Sequence, residues 1–192
     1  MRYPPEHKRE TSERILHAAG RLFRKQGYAA TGVDAVMASA DLTAGAFYSH
    51  FRSKQHLLAE ALDLVFRESK NDRPKHLSKL QGRDWIRAFA RFYLSKKHRD
   101  TPDRGCPVAA LAGEIGRIGG ESRAVFEHHI QRMLDTVAQQ FDAASPDRGR
   151  AITAVVLCLG GLTLARAVND RELSEEILST CRNSVLEESA RT

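Results

Sequence analysis

The stretch that decides the fold is Thr43-Ala44-Gly45-Ala46-Phe47-Tyr48-Ser49-His50-Phe51-Arg52-Ser53-Lys54. It opens on four small residues and passes directly into Phe47 and Phe51, spaced i, i+4. A short helix over residues 44–50, capped by Thr43, turns both rings inward and leaves Tyr48 and His50 outward. A helix fits the DNA major groove, about 12 Å wide, when the residues facing the bases are small. Thr43, Ala44, Gly45 and Ala46 meet that condition. Tyr48 and His50 suit phosphate oxygens. Lys54 opens the next helix behind a Ser53 cap, where backbone N–H groups and the helix dipole also favour an anion.

Working outward, Ile15, Ala19, Leu22 and Phe23 share one helical face and predict a first helix over residues 11–26, closed by Gly27. Thr31, with Asp34 three residues on, predicts a capping-box-like start to a short second helix carrying Val33, Val36 and Met37. Residues 39–42 break it. Three short, closely spaced helices suit a helix-turn-helix, in which the second helix of the pair enters the groove. Spacing of this kind also arises from ordinary helical packing; the run from Gly45 to Lys54 singles out DNA.

Residues 11–62 (TSERILHAAGRLFRKQGYAATGVDAVMASADLTAGAFYSHFRSKQHLLAEAL) resemble the N-terminal domain of the TetR/AcrR family of transcriptional regulators. The resemblance is carried by Ala18-Ala19 with Leu22-Phe23, Gly27-Tyr28, Ala30-Thr31, Val33, the run Gly45 to Phe51, and Ser53-Lys54. It implies a homodimer that binds a palindromic double-stranded operator, with a C-terminal helical half that binds a small effector and dimerises through its last two long helices. Thr43, Ala44 and Ala46 would then face base edges, and Gly45 would permit close approach. Tyr48, His50, Lys54 and the Thr31 hydroxyl would contact phosphate. Two positions depart from the pattern. Ala44 stands where many relatives have Lys or Arg, which favours apolar contact with thymine methyls. Asp41 replaces the usual turn glycine, and Asp tolerates the left-handed conformation better than most residues. Arg2, Lys8, Arg9 and Arg14 form either an arm near a groove or a solvated face.

The rest of the chain reads as helices too. The fourth continues through Leu57, Leu58, Ala61, Leu64 and Val65 and fades in a polar stretch from Glu68 to Lys79. A fifth starts near Arg83, a loop covers residues 99–105, and Pro107 suits the first turn of a sixth that ends at Gly119-Gly120. A seventh covers roughly residues 121–143, an eighth residues 147–168, and a ninth starts at a Ser174 cap. The fold expected is all-α, about nine helices, divided into a DNA-binding domain (1–56) and a ligand-binding and dimerisation domain (57–192). The eighth helix is apolar nearly all round, with Gly160-Gly161 and Ala165 allowing close approach of another helix. Ile177, Leu178, Cys181 and Val185 give the ninth one apolar face. The apolar run of residues 151–165 is shorter than the roughly 20 residues of a membrane span and predicts a buried helix.

Trp85, Phe89, Phe92 and Tyr93 line one side of the fifth helix, a stripe that serves either as plain core or as one wall of a pocket. In the fold the resemblance implies, Leu111, Glu114, Ile115, Phe126, His129 and Met133 would join them around a mostly hydrophobic effector. No cofactor is expected, and the histidines lack the i, i+4 spacing of a helical metal pair. No Ser/His/Asp arrangement or phosphate loop argues for an enzyme, since Gly113–Gly120 follows no strand. Three widely spaced cysteines and an N-terminus without a signal-peptide core predict a cytoplasmic protein. Cys106 opens the sixth helix, so a redox-responsive regulator is one alternative. A nonspecific DNA-binding protein without an effector is another.

Overall fold

The computed structural model describes residues 5–68 and 75–190, so Arg2 and residues 69–74 lie outside it. The described residues form nine α-helices and three short 3₁₀ segments, with no strand, as the periodicity requires. The chain divides into two compact units, one of residues 1–69 and 106–127, the other of residues 70–105 and 128–192.

The first unit contains α1 (Pro5–Gln26), α2 (Val33–Ser39), a 3₁₀ segment (Ala44–Ser49), α3 (Lys54–Glu68) and α6 (Pro107–Ile118). Its core joins Ile15, Ala19 and Phe23 of α1 to Val36 and Met37 of α2, to Phe47 and Phe51, and to Leu57, Leu58, Ala61 and Leu62 of α3. Leu111 and Ile115 of α6 belong to the same cluster. The boundary expected between residues 56 and 57 is therefore no break in packing. Lys54–Glu68 is one uninterrupted helix whose buried side chains start at Leu57.

Three local expectations change. The third segment is a 3₁₀-helix, and Thr43 precedes it in extended conformation without a side-chain cap. Gly32, not Thr31, stands at the cap of α2. The last helix, α9 (Arg171–Ala190), starts earlier than Ser174, because the Asp170 carboxylate accepts from the N–H groups of Glu172 at 2.7 Å and Leu173 at 3.1 Å. Ser174 is instead buried, its hydroxyl donating to the Ala165 carbonyl. Other caps fall where expected: Ser53 Oγ accepts from His56 N at 3.0 Å, and Gly27 ends α1 with φ of 86°.

The second unit contains α4 (Gly82–Tyr93), the short α5 (Lys96–Asp100), α8 (Arg148–Ala167) and α9, with the later part of α7 (Gly120–Phe141). Helix α9 packs on α8 and α4. A Cβ at Gly161 would lie 2.9 Å from the Cys181 side chain, so the close approach foreseen for this glycine pair is used between α8 and α9 of one chain. Gly160 faces open space. Helix α8 has the length and composition of a membrane span, yet Ala151, Ala154, Val155, Cys158, Leu162 and Ala165 are buried. Its opposite face exposes Val156 (59%) and Leu164 (57%).

Asp41 has φ of 57°, the left-handed turn between α2 and the 3₁₀ segment. A β-branched residue fits there poorly, and glycine fits without steric cost. Asp41→Val is expected to lower stability by about 1–2 kcal/mol, a fall in Tm of about 2–8 °C at this size. Asp41→Gly should equal or slightly exceed the parent. Thermal unfolding followed by circular dichroism checks both.

Candidate nucleic-acid interface

The 3₁₀ segment is shaped by what lies beneath it. Phe47 is 1% exposed and packs edge-on to Tyr48 with centroids 5.1 Å apart, and tilted against Phe51 at 5.9 Å. Those buried rings push their neighbours out. Tyr48 is 78% exposed, an unusual position for so large an apolar surface in a folded chain. Thr43, Ala44 and Gly45 are exposed and Ala46 is half-buried. A Cβ built at Gly45 meets nothing within 4 Å, so that backbone is open to a close neighbour. Ser49 donates to the Ala46 carbonyl at 2.6 Å and closes the segment.

His50 and Lys54 flank this surface, each held by a partner that the sequence did not reveal. His50 Nδ1 lies 2.9 Å from Ser12 Oγ on α1. Burial, and then the charge of Lys8, hold the His50 imidazole below its ordinary pKa and favour the neutral ring. The Lys54 ammonium sits 4.2 Å from the centroid of the Tyr28 ring, within cation–π range. Burial lowers the Lys54 pKa, and the charge of Glu114 pulls it back upward. Tyr28 itself is tilted against Phe23 at 5.5 Å, which ties the ring to the core.

Thr31 is not at this surface. It is 0% exposed, and its hydroxyl donates to the Gly27 carbonyl at 2.6 Å, closing the loop after α1. A phosphate contact from this hydroxyl would require breaking that bond.

The residues expected around an effector fall in both units. Leu111 and Ile115 are buried in the core of the first unit, and Phe126 is partly buried there, edge-on to Phe66 at 6.2 Å. Glu114 is committed elsewhere: its carboxylate accepts from Tyr28 N and Ala29 N, both at 2.8 Å. In the second unit Trp85 stacks on Phe89 at 4.9 Å, and Phe89 is tilted against Tyr93 at 5.4 Å. Phe92 stacks on His98 at 5.8 Å. His129 is buried and Met133 half-buried. A cavity of about 10 Å³ lined by Gly20, Phe23, Leu58, Leu62 and Leu111 holds one water at most.

A family model described as bacterial regulatory proteins, tetR family, matches residues 15–61, the segment that carries the reader. The HTH-type transcriptional regulator YerO of Bacillus subtilis (strain 168) is 40% identical over 62 residues, 32% of this chain and 22% of that protein. The HTH-type transcriptional regulator UidR of Escherichia coli (strain K12) is 24% identical over 153 residues, 77% of this chain and 76% of its own. Among solved structures, the TetR-family transcriptional regulator SCO4454 of Streptomyces coelicolor superposes with a TM-score of 0.72 and 26% identity, covering 95% of this chain and 97% of that one. Residues 15–61 are thus similar to the tetR-family model, and the chain shares its fold with a TetR-family transcriptional regulator. The curated relatives it matches are HTH-type transcriptional regulators rather than enzymes.

The exposed groups divide by chemistry into small residues suited to base edges and hydroxyl and ammonium groups suited to phosphate, and the division is testable. Tyr48→Phe is therefore expected to weaken operator and random DNA alike by about 1 kcal/mol, and Lys54→Ala by about 1.5–3 kcal/mol. Ala46→Asp should abolish binding and leave the assembly state unchanged. Fluorescence anisotropy against both duplexes, with size-exclusion chromatography of each variant, checks this. Undiminished affinity of Ala46→Asp would refute the placement of the 3₁₀ segment in the groove.

Proposed function

We propose that this chain is a homodimeric, ligand-responsive repressor that binds a palindromic operator and is released from it by a small, largely hydrophobic effector. The observation that carries the DNA-reading part is the exposed run Thr43-Ala44-Gly45 beside Tyr48, standing on buried Phe47 and Phe51. In this reading Thr43, Ala44 and Ala46 meet base edges and Gly45 allows the approach. Tyr48, His50 and Lys54 meet phosphates. Residues 1–56 read DNA, and residues 57–192 sense and dimerise.

Dimerisation is supported by α8. Ile152, Val156 and Leu164 leave an apolar face uncovered, and Leu173 at the start of α9 is exposed as well. Several large apolar side chains exposed on these two helices suit an interaction site. A second copy, meeting it through the same two helices, closes the surface by two-fold symmetry as a four-helix arrangement. Two-fold symmetry also sets the operator: half-sites one helical turn apart, about 34–36 Å. The aromatic stack of α4 supplies the apolar wall for the effector. An effector that favours a different spacing of the two readers lowers operator affinity by its differential affinity for the two states, typically about 1–3 kcal/mol. A DNA-binding regulator of this kind works in the cytoplasm, where thiols stay reduced.

Selection of binding sequences from a random duplex pool is expected to return a two-fold symmetric site with half-sites about 10 base pairs apart. Anisotropy on that site should show log K falling steeply and linearly with log salt. A pool that enriches no sequence would overturn the reading in favour of nonspecific binding. Val156→Glu, which buries a charge at the proposed interface, is expected to convert dimer to monomer by light scattering and to lower operator affinity at least tenfold.

A further inference from the structure

The geometry points to Glu114, on α6 and outside the segment matched by the family model, as the residue that positions Lys54 for phosphate. The inference rests on the reading of Lys54 as a phosphate contact, and its test separates the two.

The chain of contacts begins at the end of α1. Helix α1 stops at Gln26, Gly27 turns with φ of 86° and donates to the Phe23 carbonyl, and the next two N–H groups, of Tyr28 and Ala29, turn to Glu114. Glu114 supplies one oxygen to each, both bonds at 2.8 Å. Two charge-assisted bonds to consecutive N–H groups fix both the position and the tilt of that peptide. Gly27 is shaped to admit the carboxylate. A Cβ there would lie 2.9 Å from Glu114 Oε2 and would push the carboxylate aside, and φ of 86° favours glycine as well.

Pinning the backbone at residues 28 and 29 fixes where the Tyr28 ring leaves the chain. One further constraint, the tilted contact with Phe23 at 5.5 Å, sets the plane of the ring. The ring then offers its face to Lys54 Nζ at 4.2 Å. A long lysine side chain carries much rotamer entropy. An ammonium already resting on an aromatic face has given up part of that freedom before DNA arrives. Two further contacts join the same corner of the fold to the start of α3: Gln55 Nε2 donates to the Gly119 carbonyl at 3.3 Å, and Arg52 lies 3.4 Å from Glu121. The start of α3, which carries Lys54, is thus also tied to the end of α6 by Gln55.

A positioning role and a simple charge effect predict opposite signs. Glu114 is an anion near the DNA-facing surface, so its removal by charge alone would tighten binding to polyanionic DNA. Positioning predicts weaker binding. In the full-length protein on its selected operator, Lys54→Ala is expected to reduce the salt slope by about 1 for each phosphate left unneutralised, about 2 for a dimer. Glu114→Ala should reproduce most of that slope change and bind about tenfold more weakly. The double variant Glu114→Ala/Lys54→Ala should add little to Lys54→Ala, because both act on one phosphate contact. Tyr28→Leu leaves the backbone bonds in place and removes the ring; it should show the same reduced slope, whereas Tyr28→Phe keeps parent affinity. This pair keeps the test decisive if Glu114→Ala lowers the melting temperature. An unchanged slope for Lys54→Ala would overturn the phosphate contact itself. A normal slope or tighter binding for Glu114→Ala and Tyr28→Leu, with Lys54→Ala impaired, would overturn the positioning role alone.

Discussion

Everything exposed on the 3₁₀ segment depends on the burial of Phe47 and Phe51 beneath it. A six-residue 3₁₀ segment has no stability of its own, since its hydrogen-bond geometry is poor and nucleation is unfavourable. Two phenyl rings placed into the cluster of Ile15, Phe23, Met37 and Leu58 supply it from outside, about 1.5–3 kcal/mol each in transfer terms. The same burial determines direction. With positions 47 and 51 pointing inward, 43, 44, 45 and 48 have no choice but to point outward. A surface made of Thr, Ala, Gly and one protruding Tyr is affordable only because the inner side of the same short segment is so apolar.

This explains why that part was legible in the sequence. An i, i+4 aromatic pair interrupted by Tyr48 and His50 encodes burial and exposure within one short window, and Ser53, Gly27 and Asp41 encode caps and a turn over distances of a few residues. Each is a local rule. Thr31 misleads for the same reason: its distance from Asp34 satisfies a local capping pattern, but the nearer acceptor at the Gly27 carbonyl captures its hydroxyl. Ser174 misleads likewise. A serine at a helix start looks like a cap until Asp170 takes the role and the Ala165 carbonyl and the Arg99 guanidinium occupy its hydroxyl.

Glu114 was beyond any local rule. Its partners stand 86 and 85 residues earlier in the chain. On helix periodicity alone it is a polar residue among Leu111 and Ile115, which suits a pocket wall as well as a contact with loop backbone. What distinguishes the two is where α6 lies, and α6 lies with the reader. The reason is visible in its buried residues: Leu111 and Ile115 complete the core that α1 and α3 cannot close by themselves. The N-terminal 60 or so residues of the sequence look like a self-sufficient module. The structure makes them a module that borrows a helix.

That borrowed helix bears on how so little charge serves for DNA. Residues 1–60 hold 9 basic and 6 acidic side chains, a small excess for a polyanion partner. Bulk charge attracts DNA regardless of sequence, and its contribution fades with salt. Placed charge contributes differently, because a group already oriented loses less freedom on binding. Lys54 on the face of Tyr28 is of this kind, and His50 against Ser12 is a placed polar group without a charge. The cost is that placement must be maintained by contacts elsewhere in the fold, and for Lys54 those contacts lead through Tyr28 to α6. Any process that moves α6 relative to the loop at residues 28 and 29 therefore acts on the placement of Lys54, and, if the proposed phosphate contact holds, a sparse, oriented interface is more sensitive to such movement than a densely basic one would be.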